Sequence, residues 1–356
     1  MPRHPAPQPP AQSMAMHEFM LRQACPPPPL PAELAGHSPW TAGAAFFCLD
    51  TATGELAQDS RVSSLSSRDA HPFEGGKPHR SRKFLQRLPD GVEGVIAADF
   101  SDARRYDADD HFGRRFNVFQ YNRWAGSESA VLWRLPGYFC PNARMGCAGP
   151  DGVSDTIAFT DKRPTVYWRG NDSGYHWTAP GRGTTLRNPG PGADEAQLDE
   201  RFSRFRAVRM SRQDPGRFDF RFASPWGRPP SNPLTAPWFT RAEPREAALA
   251  HRYILCPNGN DVCSQLYWIL NTNSVAFRED CDYEVVPDYF LAPWVHYVPI
   301  SRGLDDLADK LDYCESNPGL CLRIIENARQ AYAQMTRPRP WREAELTVLS
   351  RMGLLR

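Results

Sequence analysis

The sequence predicts an α/β fold built on a parallel sheet, and three observations carry that reading. Between residues 251 and 335, short apolar runs rich in β-branched and aromatic residues alternate with helical patterns. That alternation is the signature of parallel strands joined by crossover helices. Strand-like runs also recur from about residue 76 onward, ahead of that segment. Hydrophobic residues make up 41% and charged residues 23% of the 356, enough for packed cores in two domains of ordinary size.

In chain order, residues 1 to about 75 are rich in Pro, Ser and Ala and show little periodicity. They open on "MPRHPAPQPP", which reads as an extended tail and lacks the apolar core of a secretory signal. "SPWTAGAAFFCLD" holds one short ordered piece. "GVEGVIAADF" (91–100) is an apolar run ending in an acid and reads as a strand, as do "RRFNVFQYN" and "SAVLWRL". "PTVYWRG" (164–170) is a further strand, stopped by Gly170. Residues 171–200 read as loop, 195–211 as one amphipathic helix, and 212–240, crowded with Pro, Arg and aromatic residues, as loop again. Then come the strand "RYILC", the helix "DVCSQLYWIL", the strand "NSVAF" and the irregular acidic segment "REDCDYEVVPDYFLAP". The strand "WVHYVPI" and the helix "LDDLADKLDYCES" follow. "NPGLCLRIIENARQAYAQM" is a second helix, with Asn317 as its cap and Pro318 at its first position. The chain thus divides into a variable region 1–75, domains at 76–165 and 166–335, and a C-terminal tail at 336–356.

A net charge of +1 excludes a broad electrostatic footprint for nucleic acid but leaves room for a local basic pocket that takes a small anion. No run of about 18 apolar residues occurs, so no membrane span is expected; peripheral association with a membrane stays open. Three cysteine pairs, Cys140/Cys147, Cys256/Cys263 and Cys314/Cys321, are each seven apart, and none is the CxxC of structural zinc. Either the thiols are buried and free, or one or two disulfides form in an oxidising compartment.

The loop Pro257–Asp261 sits where the run "RYILC" ends and a helix is expected to begin. Parallel sheets bind ligands outside the carboxyl ends of their strands. A helix N-terminus there offers backbone N–H groups and partial positive charge to a phosphate. Gly259 removes a side chain where a ligand would approach, and Ser264 adds a hydroxyl in the first turn. The alternative is an ordinary turn with an Asn/Asp cap, because the spacing is neither GxGxxG nor a P-loop. With no Walker-type loop and no paired metal-binding acids, a small-molecule kinase is set aside.

"RYILCPNGNDVCSQLYWILNTNSVAF", "YFLAPWVHYVPIS", "DDLADKLDYCESNP" and "IIENARQAY" together closely resemble the C-terminal half of glycosyltransferase family 90. "VYWRGNDSG" resembles that family's Trp/Phe-Arg-Gly motif, and "LPDGVEGVIAADFSD" its Pro-Asp-x-Glu strand ending in Asp; the resemblance covers roughly residues 85 to 335. It implies a GT-B architecture, two Rossmann-like domains facing a central cleft. The implied reaction is an inverting, metal-independent transfer of a hexose or pentose, glucose or xylose first, from a UDP-sugar to a hydroxyl of a glycan or protein. No cofactor beyond the donor is implied. The family's secretory relatives and the cysteines point to a lumen, the missing signal to the cytoplasm.

Inversion needs one carboxylate to deprotonate the acceptor while the diphosphate leaves from the opposite face. Asp99 matches the family's base with a one-residue gap after Glu93, so Asp102 stays possible; apart from the resemblance, Asp99 reads as a strand-end Asp capping the next turn. Arg169, followed by Gly170, is placed to grip two phosphate oxygens, with a surface ion pair as the alternative. Arg182 or Arg187 matches a second family arginine, with Arg182 preferred. Asn258, Gly259, Asn260, Asp261 and Ser264 form the diphosphate seat, and Gln265 stands where protein O-glucosyltransferases carry arginine. Glu284 and Asp288 are the candidates for reading donor-sugar hydroxyls. His296 is either an acid–base group or a satisfied core residue, and Asn273 and Ser274 read as structural. A relative that binds nucleotide or glycan without turnover is the alternative function; Gln265 and the gap near Asp99 favour it.

Overall fold

The computed structural model describes residues 47–50, 55–58, 78–85, 87–98, 100, 102, 118–125, 130–134, 154–174, 185–224, 227, 229–230, 232–336 and 338–355. Its centre is a six-stranded, wholly parallel sheet, β13-β11-β10-β7-β8-β9 in spatial order. The strands are β7 (Arg163–Gly170), β8 (Phe218–Ala223), β9 (Phe239–Thr240), β10 (His251–Cys256), β11 (Val275–Glu279) and β13 (Val298–Ile300). Burial on both faces explains why β10 reads as an almost unbroken apolar run. Tyr253 and Leu255 enter one core while Ile254 and Cys256 enter the other, as the two-residue alternation of a strand requires.

The expected helix at 195–211 is two helices, α2 (Glu195–Arg201) and α3 (Ser203–Gln213), separated at the extended Phe202. Asp194 caps α2 through a reciprocal pair with Gln197. α3 packs Phe205 and Val208 against the core that holds Trp168, Phe220 and Phe277. The expected ten-residue helix after β10 contracts to one turn, α4 (Leu266–Ile269), because the residues from Pro257 to Gln265 are spent in the loop and its turn. α5 (Leu307–Glu315) and α6 (Pro318–Met335) stand as expected, with α6 contributing Ile324 to one core and Tyr332 and Met335 to the other. Asn317 occupies the position before α6, but its amide donates back to the Tyr313 carbonyl at 2.7 Å rather than capping. Two strands, β8 and β9, lie in the stretch expected to be loop.

A second sheet, β2-β1-β3-β4-β6, is mixed. Its strands are β1 (Phe47–Asp50), β2 (Glu55–Gln58), β3 (Val95–Ala98), β4 (Val118–Gln120) and β6 (Ala130–Leu132). β3, β4 and β6 are parallel, whereas β1 runs antiparallel to both β2 and β3, which departs from the wholly parallel sheet expected here. α1 (Pro78–Leu85) covers it, with Phe84 against Phe100, Phe119 and Trp133 at ring distances of 4.9 to 5.7 Å.

Two structures tie the sheets together. β5 (Asn122–Trp124) leaves β4 after the single residue Tyr121 and pairs antiparallel with β12 (Tyr283–Val285). Residues expected as a tail form α7 (Pro338–Arg351), which buries Ala344, Val348 and Leu349 in the core shared by both sheets. Arg134 pairs with Glu345 at 2.6 Å, and Glu93 N–H donates to Leu354 O at 2.7 Å. β7 carries the expected 165/166 domain boundary within one strand. Among the described residues no helix is long and apolar enough to cross a membrane.

Candidate functional site

Two loops leave the carboxyl edge of the parallel sheet side by side: 171–174 after β7, and 257–265 after β10. A Cβ placed on Gly174 would stand 3.7 Å from the carbonyls of both Asn258 and Gly259, so the two loops are in contact. Arg204, in the first turn of α3, stitches them. Its guanidinium donates to Asn171 O (3.1 Å) and Ser173 Oγ (2.6 Å) on one loop and to Pro257 O (3.4 Å) on the other. Its Nε is sealed from solvent and has no hydrogen-bond partner among the described residues. The Trp168 indole lies beneath it at 5.6 Å, and burial pulls its pKa below the usual arginine value.

Glu279, at the end of β11, closes the floor of the site. It accepts from Ser203 Oγ, from Asn258 N–H at 2.7 Å and from Gly303 N–H at 3.0 Å. Burial pushes this carboxyl up, against the pull of those three donors and of Arg204. The Asn258 amide side chain donates to Asp280 O at 2.6 Å, and Gly259 N–H donates to Asp261 O at 3.1 Å. The loop amides at 258 and 259 are therefore used inside the protein. A Cβ on Gly259 would lie 2.8 Å from Arg204 Nη2; the missing side chain makes room for that guanidinium, not for direct approach of a ligand. Gly170 likewise leaves space for the Trp168 ring, whose Cζ2 a Cβ there would approach to 2.5 Å.

The opposite wall comes from the other sheet. Tyr121 Oη lies 2.5 Å from Asp261 Oδ2 and 2.8 Å from Asp102 Oδ1, Asn122 Nδ2 donates to Asp261 Oδ2 at 2.8 Å, and Arg80 pairs with Asp102 at 3.0 Å. The carboxyl ends of β3, β4 and β10 thus converge on one hydroxyl. Burial, then Asp102 and Asp261, hold the Tyr121 phenol well above its ordinary value, so it stays protonated.

The expected site residues fare differently. Asn258, Gly259, Asn260, Asp261 and Ser264 stand together in the loop after β10, with Asn260 Oδ1 buried and lacking a hydrogen-bond partner among the described residues. Gln265 reaches across to the Arg169 carbonyl at 2.7 Å. The Arg169 guanidinium forms the ion-pair alternative: Glu243 at 2.9 Å, Asp219 at 3.0 Å, and the Tyr167 ring at 4.5 Å. Glu284 is bound by Arg123 at 2.5 Å across the β5–β12 ribbon, and Asp288 by Arg278 at 2.7 Å and the Val285 N–H at 2.9 Å. Both carboxylates therefore hold structure together. Arg187 pairs with Asp172 at 2.9 Å. Asp99 and Arg182 lie outside the described residues. His296 Nδ1 accepts from Ala292 N–H at 2.8 Å, and burial lowers its pKa, the satisfied-core alternative. Asn273 and Ser274 are structural, holding Asp155, Ile157 and the His251 carbonyl. Cys256, Cys263, Cys281, Cys314 and Cys321 are free thiols, and those of Cys256 and Cys263 hydrogen-bond each other at the two ends of the loop.

Sequence reasoning missed Arg204, Glu279 and Tyr121. The available signal was positional: Arg204 sits among Phe202, Ser203 and Phe205, all buried, so it starts its helix on the core side rather than on a solvated face.

Residues 207–336 match the model of Glycosyl transferase family 90, a stretch that begins just after Arg204 and contains β10 to β13. Over 91 residues the chain is 36% identical to O-glucosyltransferase LpsA of Dichelobacter nodosus, covering 25% of this chain and 29% of that protein. Over 42 residues it is 48% identical to the uncharacterized protein 035R of Invertebrate iridescent virus 3, covering 12% and 4%. Over 125 residues it is 29% identical to the uncharacterized protein 027R of Frog virus 3 (isolate Goorha), covering 32% and 12%. The chain spans less than a third of the length of each of these relatives. Over residues 207–336, this chain is similar to glycosyl transferase family 90.

Proposed function

We propose that this chain is a glycosyltransferase that moves a hexose or pentose, glucose or xylose first, from a UDP-sugar to a hydroxyl of a glycan or protein acceptor, with inversion and without a bound metal. The two sheets read as the halves of a GT-B arrangement, with the donor on the parallel six-stranded side. The observation that carries the reading is Arg204. It is a cation sealed between two loops at the carboxyl edge of a parallel sheet, where such folds receive phosphates. In this reading Arg204 takes the role first expected of Arg169 and stabilises charge on the departing diphosphate. The loop Asn258–Ser264 frames the same anion. Asp99, directly after β3, takes the proton from the acceptor hydroxyl.

The family match over residues 207–336 and the partial likeness to an O-glucosyltransferase support the reaction class. UDP release from UDP-glucose or UDP-xylose in the presence of glycan or peptide acceptors tests it. Asp99→Asn should abolish release while UDP still binds; full activity in that variant removes Asp99 from the role of base.

One observation favours a second reading, a relative that binds nucleotide or glycan without turnover. Arg169 is spent on Glu243 and Asp219, and Gln265 on a backbone carbonyl, so two expected donor contacts are made inside the protein. UDP binding with no release from any donor–acceptor pair would establish that reading instead.

A further inference from the structure

The Tyr121 hydroxyl carries one proton and faces two carboxylates, Asp261 Oδ2 at 2.5 Å and Asp102 Oδ1 at 2.8 Å. A phenol donates to one acceptor only. Two carboxylates at hydrogen-bond distance from the same oxygen are both satisfied when one of them carries a proton and donates it back to the phenol oxygen; otherwise the second contact sets lone pair against lone pair. The other groups facing the cluster come from several elements: Arg80 on α1 pairs with Asp102, Asn122 on β5 donates to Asp261, and Arg204 on α3 and Cys281 after β11 interact with Asp261. Tyr121 is also the only residue between β4, in the mixed sheet, and β5, which pairs with β12 beside the parallel sheet. A proton at this point therefore bears on how the loop 257–265 sits against the opposite wall.

We infer that Tyr121 is a positioning residue of the proposed transferase: it holds the donor loop against the mixed sheet through one proton, taken from solvent and shared with Asp102 and Asp261. The proposal rests on the donor-site reading and adds a proton to it. Raising the pH removes that proton, leaves Asp102 and Asp261 both charged around one hydroxyl, and loosens the loop. An anion bound between the loops adds negative charge nearby and favours retention of the proton, so nucleotide binding and proton uptake are linked.

Asp261→Asn is the discriminating variant. Its amide supplies the second hydrogen bond without a titrating group. UDP is titrated calorimetrically into wild type and variants from pH 6 to pH 9; the nucleotide's own ionisation is common to all. Wild-type affinity should fall about tenfold more over this range than that of Asp261→Asn. Asp102→Asn should flatten the profile in the same way and serves if Asp261→Asn fails to fold. Tyr121→Phe should lower kcat more than it raises KM for the donor. Identical pH slopes in wild type and both Asn variants would overturn the proposal. A second measurement separates it from the donor-site reading: in nucleotide-free protein, urea-unfolding stability of wild type should decline relative to Asp261→Asn as pH rises above the ordinary carboxylate range. If UDP binds none of the proteins, the donor-site reading fails, and this ligand-free comparison alone decides the shared proton: a steeper decline in wild type supports it, parallel profiles overturn it.

Discussion

Gly259 and Arg204 define each other. A methyl group at residue 259 must displace the guanidinium that lies 2.8 Å from its position. Gly259→Ala should therefore cost about 1–3 kcal/mol of stability by overpacking and weaken UDP binding, read by urea unfolding and by calorimetry. Arg204→Ala should weaken UDP binding about 10–100-fold, the scale of a charge-assisted hydrogen bond lost from a partly dry site, while Arg204→Lys, which keeps the charge but loses the fork, should fall between. The glycine loop was legible in the sequence because Pro, Asn and Gly have turn chemistry that does not depend on the rest of the fold. Arg204 was not legible. The sequence around it, "RFSRFRAVR", carries four arginines, and only the break at Phe202 and the burial of Ser203 and Phe205 single out one of them. Arg169 reads well as a phosphate ligand until Glu243, far away in sequence, arrives to pair with it.

At the scale of elements, β10 begins with a histidine that folding forces into its neutral form. His251 packs at a tilt against the Tyr167 ring and meets Thr165 Oγ1 at 2.6 Å, and burial lowers its pKa from 6.5 to about 4. Between those values the unfolded chain binds the proton that the folded protein refuses. Stability is fully present above the unfolded value and is lost as pH falls toward 4, by about 2–3 kcal/mol. His251→Gln should remove that part of the pH dependence in urea titrations at pH 4 to 7. α7 makes a separate prediction. Val348 and Leu349 are buried in the core that joins both sheets, so Leu349→Ala should cost about 2–5 kcal/mol, read as a lowered unfolding midpoint. Elements with their own signal were readable: β7, β10, β11, α5 and α6 are apolar runs with the right period. β8 was hidden because "RFDFRFA" alternates correctly but sits in a stretch dominated by Pro and Arg. α4 was overextended because its apolar residues, Leu266 to Ile269, are contiguous with polar turn residues that fit a helix equally well by composition.

At the scale of the whole molecule, two sheets meet through the β5–β12 ribbon, α7 and the Tyr121 cluster. No local pattern announces these long-range pairings, which is why the residues that join the halves escaped the sequence. Glu284 and Asp288 were expected to read sugar hydroxyls, yet the fold uses them to hold Arg123 and Arg278. Arg123→Ala would break the ion pair to Glu284 and the hydrogen bond to Tyr289 in a largely buried ribbon and should cost about 3–5 kcal/mol by urea unfolding. The central claim is that the space between the loops after β7 and β10 is a diphosphate seat organised by Arg204. The most direct measurement is a calorimetric titration of UDP into wild type and into folded Arg204→Ala. Saturable wild-type binding that weakens at least tenfold in the variant is the predicted result; equal affinity in the two proteins would contradict it.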